Sequence, residues 1–487
     1  MPWHPLLTRE ELLRGLAYFG SGARLHRLAR KLLAGKPIKV FTLGGSVTGG
    51  GGASHPPDNS YVQRFFKFIQ KSFPHSGHVL QNKAISASTA FLYSHCLQHH
   101  VPPDADLVSL EFSVNERSDA PFQSIERRSY EQLLRRLLAL PGRPAVIMLH
   151  HYGWWEAAGD GLDRGLYYRQ PEADLTTLAQ YYDVPAVSVR AATYHLMQAG
   201  VRKFKVNRVA MAGRPHRFLA ANGSLEWGDI PASPPRPAIR ANFFYQDSLH
   251  PYDPGHQTLA ELLAEPLVRA VWEVQAGLAL AEADLRKDPH LKRKRLPPPM
   301  IPGNADGASG VCAMQEEFKG VVVDQEGFEY APERPSASDF MHQKWGWRGA
   351  KPGAWAELEL DTRASSSSAS ASGINSSSEA DGETVVWLSH LRSYQGMGTA
   401  RVACVGGCTC DEATLDGTWE QRVSLFWITR FAVSRHRRCR IRVTITDEPG
   451  QFPEEGHKVS LVAVMVTHAP LTEQGSLSRV EQLEFNV

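Results

Sequence analysis

Over the first 280 or so residues, short apolar runs alternate with segments whose apolar positions recur every three or four residues. Five runs predict strands: Ile38 to Leu43, His78 to Gln81, Leu107 to Phe112, Ala145 to His150 and Pro185 to Val189. They lack a clean in-out alternation, as expected of strands buried on both faces. Between them, Asp58 to Ser72 sets Tyr61, Val62, Phe65, Phe66 and Ile69 on one helical face. Ser124 to Leu140 does the same with Leu133, Leu134, Leu137 and Leu138, and Gly255 to Leu280 reads as a longer helix. Alternating strands and helices predict a parallel sheet with helices on both faces.

The texture changes from about Gly310. Val321 to Val323, Trp355 to Leu360, Thr384 to Leu391, Thr399 to Val405, Val423 to Thr429, Cys439 to Thr446 and Lys458 to Thr467 are short β-branched or aromatic runs. Turn residues separate them at fairly regular spacing, which predicts an antiparallel sandwich. Thr362 to Gly382 holds 9 serines in 21 residues. Lying between two strands, it reads as a disordered insertion at 362–382 and not as a domain boundary. Before the sandwich, a basic run (LRKDPHLKRKR) meets a Pro- and Gly-rich stretch. This is read as a solvated, extended linker in preference to a nuclear signal or a phosphate patch. The expected organisation is therefore an α/β domain over 1–284, a linker over 285–309 and a β-sandwich over 310–487.

The 487 residues suffice for two to four domains. Lys plus Arg number 53 against 51 Asp plus Glu, a net charge of +2. That balance argues against a dedicated nucleic-acid binder. No uncharged apolar run reaches the ~18–20 residues that span a bilayer, so no transmembrane segment is expected in this chain. The opening MPWHPLLTREELLRG has no apolar core of a signal peptide.

Three stretches carry candidate chemistry, the first two just after predicted strands, where ligands bind in open α/β sheets, and the third just before the last helix. In GGSVTGG, Gly44 to Gly50, the glycines permit a tight turn that lifts the Ser46 hydroxyl out of the sheet. A serine so placed is a nucleophile if a base reaches it; a phosphate cradle is the competing use, but the Gly-Lys-Ser/Thr ending of a P-loop is missing. In EFSVNE, Glu111 to Glu116, Asn115 offers an amide donor for a developing oxyanion. In DSLHP, Asp247 and His250 stand three apart before a helix, a spacing that lets a carboxylate brace an imidazole.

Together, and in this order, these stretches resemble the SGNH hydrolase superfamily, the GDSL-type esterases, over roughly Pro37 to Leu280. The resemblance implies a flavodoxin-like three-layer α/β sandwich with a five-stranded parallel sheet, here followed by an all-β sandwich domain. It implies Ser46 as nucleophile and Asp247 and His250 as the other triad members. It implies an oxyanion hole made by the N–H groups of Ser46 and Ala87, the latter in HVLQNKAISAST, with the amide of Asn115. The sequence departs from the family pattern at several positions. Gly45 precedes the serine where Asp is usual, Ala87 and Ser113 replace glycines, and Glu116 stands where Asp is common.

The implied reaction is hydrolysis of a small acyl ester, plausibly an acetyl ester on carbohydrate, through an acyl-enzyme. An O-acetyltransferase using the same triad and a non-catalytic carbohydrate-binding protein are the alternatives. No cofactor and no metal are expected. After the fourth strand, His150, His151, Tyr152, Trp154 and Trp155 fall on the triad's rim, where His151, Tyr152 and Trp154 would contact substrate or, alternatively, pack under a loop. The carboxyl-terminal half resembles the sandwich of some plant, algal and fungal members, and Trp345, Trp347 and Trp355 are candidates for a sugar platform or for core packing.

Cys96 and Cys312 stand alone, while Cys404, Cys408, Cys410 and Cys439 cluster. Disulfides are preferred there over free thiols and over zinc, because the paired Cys-x-x-Cys spacing of zinc knuckles is missing, and the pairing is open. Disulfides would indicate the secretory pathway or the cell exterior. The sequons Asn222-Gly-Ser224 and Asn375-Ser-Ser377 are compatible with that compartment. Nothing in the sequence specifies an oligomeric state.

Overall fold

A computed structural model describes residues 3–86, 88–117, 120–152, 171–199, 250–279, 296–304, 309–314, 316–333, 335, 343, 345–363, 384–419, 425–452 and 455–467, with the backbone of 215–219 and 225–229. The insertion expected at 362–382 falls almost wholly outside these residues. So do both sequons and the basic part of the expected linker. The chain divides into two compact units: Met1–Tyr93 with Gln98–Asn304, and Ser94–Leu97 with Ala305–Ser478.

In the first unit, β1 (Lys39–Gly44), β2 (Val79–Asn82), β3 (Leu107–Glu111), β4 (Ala145–His150) and β5 (Ala186–Ser188) form one sheet of order β2-β1-β3-β4-β5. Every pairing is parallel. This is the flavodoxin-like order. Strands β3 and β4 are buried at every residue, which is why their sequences run apolar without alternation. The main helices are α1 (Arg9–Gly15), α2 (Ala23–Leu33), α3 (Tyr61–Ser72), α4 (Ile125–Ala139), α5 (Glu172–Tyr181), α6 (Val189–Gln198) and α7 (Asp253–Gln275). Three are started by side-chain caps: Thr8 in a capping box with Glu11, Ser60 for α3 and Ser124 for α4. Leu25, Leu28 and Leu32 of α2, Val62, Phe65 and Ile69 of α3, and Leu259, Leu263 and Leu267 of α7 share one core with Val40 and Ile147 of the sheet. The sheet runs from β1 outward in both directions. Right-handed crossovers therefore put α3 and α4 on opposite faces, and the ends of β1 and β3 flank the topological switch point.

The Pro-rich stretch read as an exposed linker is anchored in its described part. Pro lacks an N–H but keeps a carbonyl. The carbonyls of Pro297, Pro298 and Pro302 accept from Arg135 (2.6 Å), Tyr181 (2.9 Å) and Arg128 (2.9 Å) on α4 and α5. The buried Glu131 carboxylate takes Ile301 N–H (3.2 Å) and Asn304 Nδ2 (2.6 Å), and Ile301 is fully buried. An antiparallel hairpin, β6 (Pro215–Leu219) with β7 (Leu225–Asp229), lies where no strand was expected.

The second unit is an antiparallel sandwich. Its strands are β8 (Ser309–Met314), β9 (Val322–Glu326), β10 (Phe328–Pro332), β11 (Trp345–Gly349), β12 (Trp355–Leu360), β13 (Thr384–Arg392), β14 (Thr399–Gly406), β15 (Ala413–Asp416), β16 (Leu425–Val433), β17 (Cys439–Ile445) and β18 (Val459–Thr467). One sheet runs β10-β11-β18-β13-β16, with β8 also on β18, and the other runs β15-β14-β17-β12-β9. Leu358, Val402, Ile441 and Val443 from the second sheet meet Val386, Leu388, Val464 and Val466 from the first. Strand β17 alternates buried with less buried residues, as one solvated face requires.

All six cysteines are in disulfides: Cys96–Cys312, Cys404–Cys410 and Cys408–Cys439. The two cysteines that stand alone in the sequence thus pair with each other. The sulfurs of Cys404, Cys408 and Cys439 lie within 4.8 Å of one another, but disulfide bonding leaves them no thiolate to offer a metal. Trp355 stands on one sheet, stacked by Arg442 at 4.3 Å, whereas Trp345 and Trp347 flank Tyr330 on the other. The three indoles do not form a single platform. No described helix is long and apolar enough to cross a membrane.

Candidate active site

The site is built at the end of β1, where the chain must turn at once. Gly49 N–H donates to Gly45 C=O (3.0 Å), Gly50 N–H to Val47 C=O (3.1 Å) and Gly51 N–H to Ser46 C=O (2.8 Å). Val47 is buried in the core while Ser46 is left partly exposed. Two glycines are required by close approach. A Cβ on Gly45 would lie 2.3 Å from Asn115 Oδ1, and one on Gly51 would lie 2.5 Å from His250 Cδ2. The turn is braced below by Thr48, whose hydroxyl meets Tyr61 Oη at 2.8 Å, and by Asn82 Nδ2, which donates to Thr48 C=O at 2.7 Å.

His250 reaches this turn from 204 residues away, with Nε2 at 2.7 Å from Ser46 Oγ. The α7 entrance holds it there. Asp253 accepts from Ser54 N–H (2.9 Å) and Ser54 Oγ (2.6 Å), so the Ser46 loop and the His250 loop are tied together beyond the pair itself. If Nε2 accepts the serine proton, Nδ1 must carry the ring's own proton and face an acceptor. Asp247, the expected acceptor, lies outside the described residues, as do Ala87 and Trp154.

Asn115 follows β3 in a turn, with its N–H and that of Glu116 both donating to Phe112 C=O at 2.9 Å. Its amide sits against Gly45, and its Oδ1 is buried without a hydrogen-bond partner among the described residues. The segment around position 87 is pinned from both sides. Ile85 N–H donates to Gly44 C=O (3.0 Å), and Ala90 N–H donates to Glu116 Oε1 (2.8 Å). Glu116 thereby links the segment after β2 to the turn after β3. Burial pushes its carboxyl up to about 7, against the opposing pull of Arg127. Ser113 performs a similar tie, its hydroxyl donating to His151 C=O at 3.0 Å.

The structure places His151 and Tyr152 in the interior and not on the rim, both fully buried. Arg190 lies 5.7 Å over the Tyr152 ring. His150 is also buried, which lowers its pKa. A further residue, His256, is held at the site by hydrogen bonds to Tyr61 N–H at the start of α3 and to Gly51 C=O of the Ser46 loop; in sequence it is one more histidine in an amphipathic helix.

No protein-family model matches the chain, and no curated protein matches it. Solved structures do. A two-domain esterase active on acetylated mannans, crystallised with mannopentaose, is 18% identical with a TM-score of 0.62, covering 95% of this chain and 99% of its own. A second crystal structure under the same description is 18% identical with a TM-score of 0.61, covering 94% and 98%. A G-D-S-L family structure from Desulfitobacterium hafniense is 12% identical with a TM-score of 0.28, over 47% of this chain and 99% of its own. In fold the chain is similar over nearly its whole length to these two-domain structures: a flavodoxin-like α/β domain with an additional C-terminal β-sandwich domain.

Proposed function

We propose that the protein is a serine esterase that removes acetyl groups from a carbohydrate. The observation that carries this reading is the 2.7 Å contact between His250 Nε2 and Ser46 Oγ, made by two loops joined only through the fold. At that distance the imidazole takes the serine proton as Oγ attacks the ester carbonyl. The oxyanion of the tetrahedral intermediate is met by the N–H groups of Ser46 and Ala87 and the side-chain amide of Asn115. His250 passes its proton to the leaving sugar hydroxyl, and an acetyl-Ser46 remains. Water, deprotonated by the same imidazole, then attacks the acetyl carbonyl; the Oγ–acyl bond breaks, the imidazolium returns its proton to Ser46 Oγ, and acetate is released. Asp247 is assigned to the Nδ1 side, where a carboxylate stabilises the imidazolium formed in each half-reaction.

The carbohydrate substrate is supported by the two-domain likeness to an esterase active on acetylated mannans. Three disulfides support an oxidising compartment, the secretory pathway or the cell exterior. The reading is tested with a fluorophosphonate probe and acetylated mannan. Labelling at Ser46 together with acetate release supports it; folded protein that does neither contradicts it.

A further inference from the structure

His256 is fully buried on the first turn of α7, and both of its ring nitrogens are engaged. Nδ1 accepts from Tyr61 N–H at 3.2 Å, and Nε2 faces Gly51 C=O at 3.0 Å. Only one neutral tautomer satisfies both partners, with the proton on Nε2 donated to the carbonyl. Burial pushes this imidazole down to about 3, so it stays neutral at any pH where His250 can act as a base. The ring stacks on Tyr61, centroids 6.3 Å apart, and Tyr61 also holds Thr48 of the nucleophile loop. Gly51 donates its N–H to Ser46 C=O, and a Cβ there would press on the His250 ring. The Gly51 peptide thus lies between His256 and the Ser46–His250 pair.

We propose that His256 is a positioning residue for that pair: by holding the Gly51 carbonyl it sets how closely the nucleophile loop approaches the base. The proposal rests on the reading of Ser46 and His250 given above. His256 touches neither of the reacting atoms. Its effect passes through a backbone whose displacement by 1 Å is enough to cost about 100-fold in rate.

The test compares three variants on p-nitrophenyl acetate, with circular dichroism to establish folding. His256→Phe keeps the ring volume and loses both hydrogen bonds. His256→Gln can still donate to Gly51, whereas His256→Asn is too short to reach it. The expected result is a kcat about 10- to 100-fold lower for Phe and Asn, with KM within about twofold, and a Gln variant within about fivefold of the parent. Labelling of Ser46 by the fluorophosphonate probe should slow in the same order. Parent-like kcat in the Asn variant, or a Gln variant as slow as Asn, overturns the proposal even if the Phe variant fails to fold. A readout independent of activity separates this from failure of the esterase reading. In imidazole NMR of both the parent and Ser46→Ala, His256 should show a slowly exchanging Nε2–H, unchanged between about pH 5 and 8. Titration of that ring within this range, or a proton on Nδ1, overturns the proposal whatever the enzyme does.

Discussion

Replacing Glu116 by glutamine isolates the consequence of burying a carboxyl next to Asn115. The side chain is fully buried, and its carboxyl titrates at about 7 against an ordinary value of 4.5. A raised carboxylate value means that the unfolded chain ionises first. Below about pH 4 both states are protonated and the group has no effect. Between 4.5 and 7 the unfolded state gives up its proton while the folded state keeps it, so folding loses stability as pH rises. The difference of 2.5 units, at about 1.4 kcal/mol each, approaches about 3 kcal/mol above pH 7. Glutamine has the same shape, still accepts from Ala90 N–H through its oxygen, and does not titrate. Glu116→Gln should therefore match the parent at pH 4 and exceed it by about 1–3 kcal/mol at pH 8. Hydrogen exchange of the β3 amides, compared between variant and parent at each pH, reads the opening of this unit without contribution from the sandwich. A difference that stays flat from pH 4 to 8, or a parent more stable than the variant at pH 8, would refute the argument.

Asn115→Ala should lower kcat for acetyl-ester hydrolysis by about 100- to 1,000-fold with little change in KM, since an oxyanion donor acts mainly in the transition state; steady-state kinetics checks this. Replacing Cys408 and Cys439 together by serine opens a loop of sequence separation 31. By chain entropy this should cost the sandwich about 3–4 kcal/mol in urea unfolding, and a reductant, which opens the other two disulfides as well, should cost the parent at least as much.

Much of the fold can be read from the residues because its central strands are buried on both sides. Ala145–His150 runs continuously apolar, and Trp355–Leu360 sets Ala356, Leu358 and Leu360 in alternation with Trp and Glu, as a sandwich strand does; their limits are those expected. Several strands escaped, among them Phe328–Pro332, Trp345–Gly349 and Ala413–Asp416; they are four or five residues long and carry a Pro, Gly or Asp, so a period of two has little room to show. Helix α2 carries its own signal ahead of the first strand, Leu25, Leu28, Ala29 and Leu32 at helical spacing. The Cys96–Cys312 bond spans 216 residues, a proximity that only the folded chain creates. At the site, Ser46 and His250 were legible because a glycine-flanked serine and a histidine at a helix entrance have few uses in combination. His256, Ser113 and Glu116 were not legible in this way. Their work is to hold backbone groups of other segments, and nothing in local sequence records which backbone a buried side chain will meet.

The most direct measurement is acetate release from acetylated mannan by the full chain and by Ser46→Ala, run beside fluorophosphonate labelling and a circular-dichroism comparison of the two. The account predicts that the parent releases acetate and labels at Ser46, while the equally folded variant does neither. Undiminished acetate release by Ser46→Ala would contradict it.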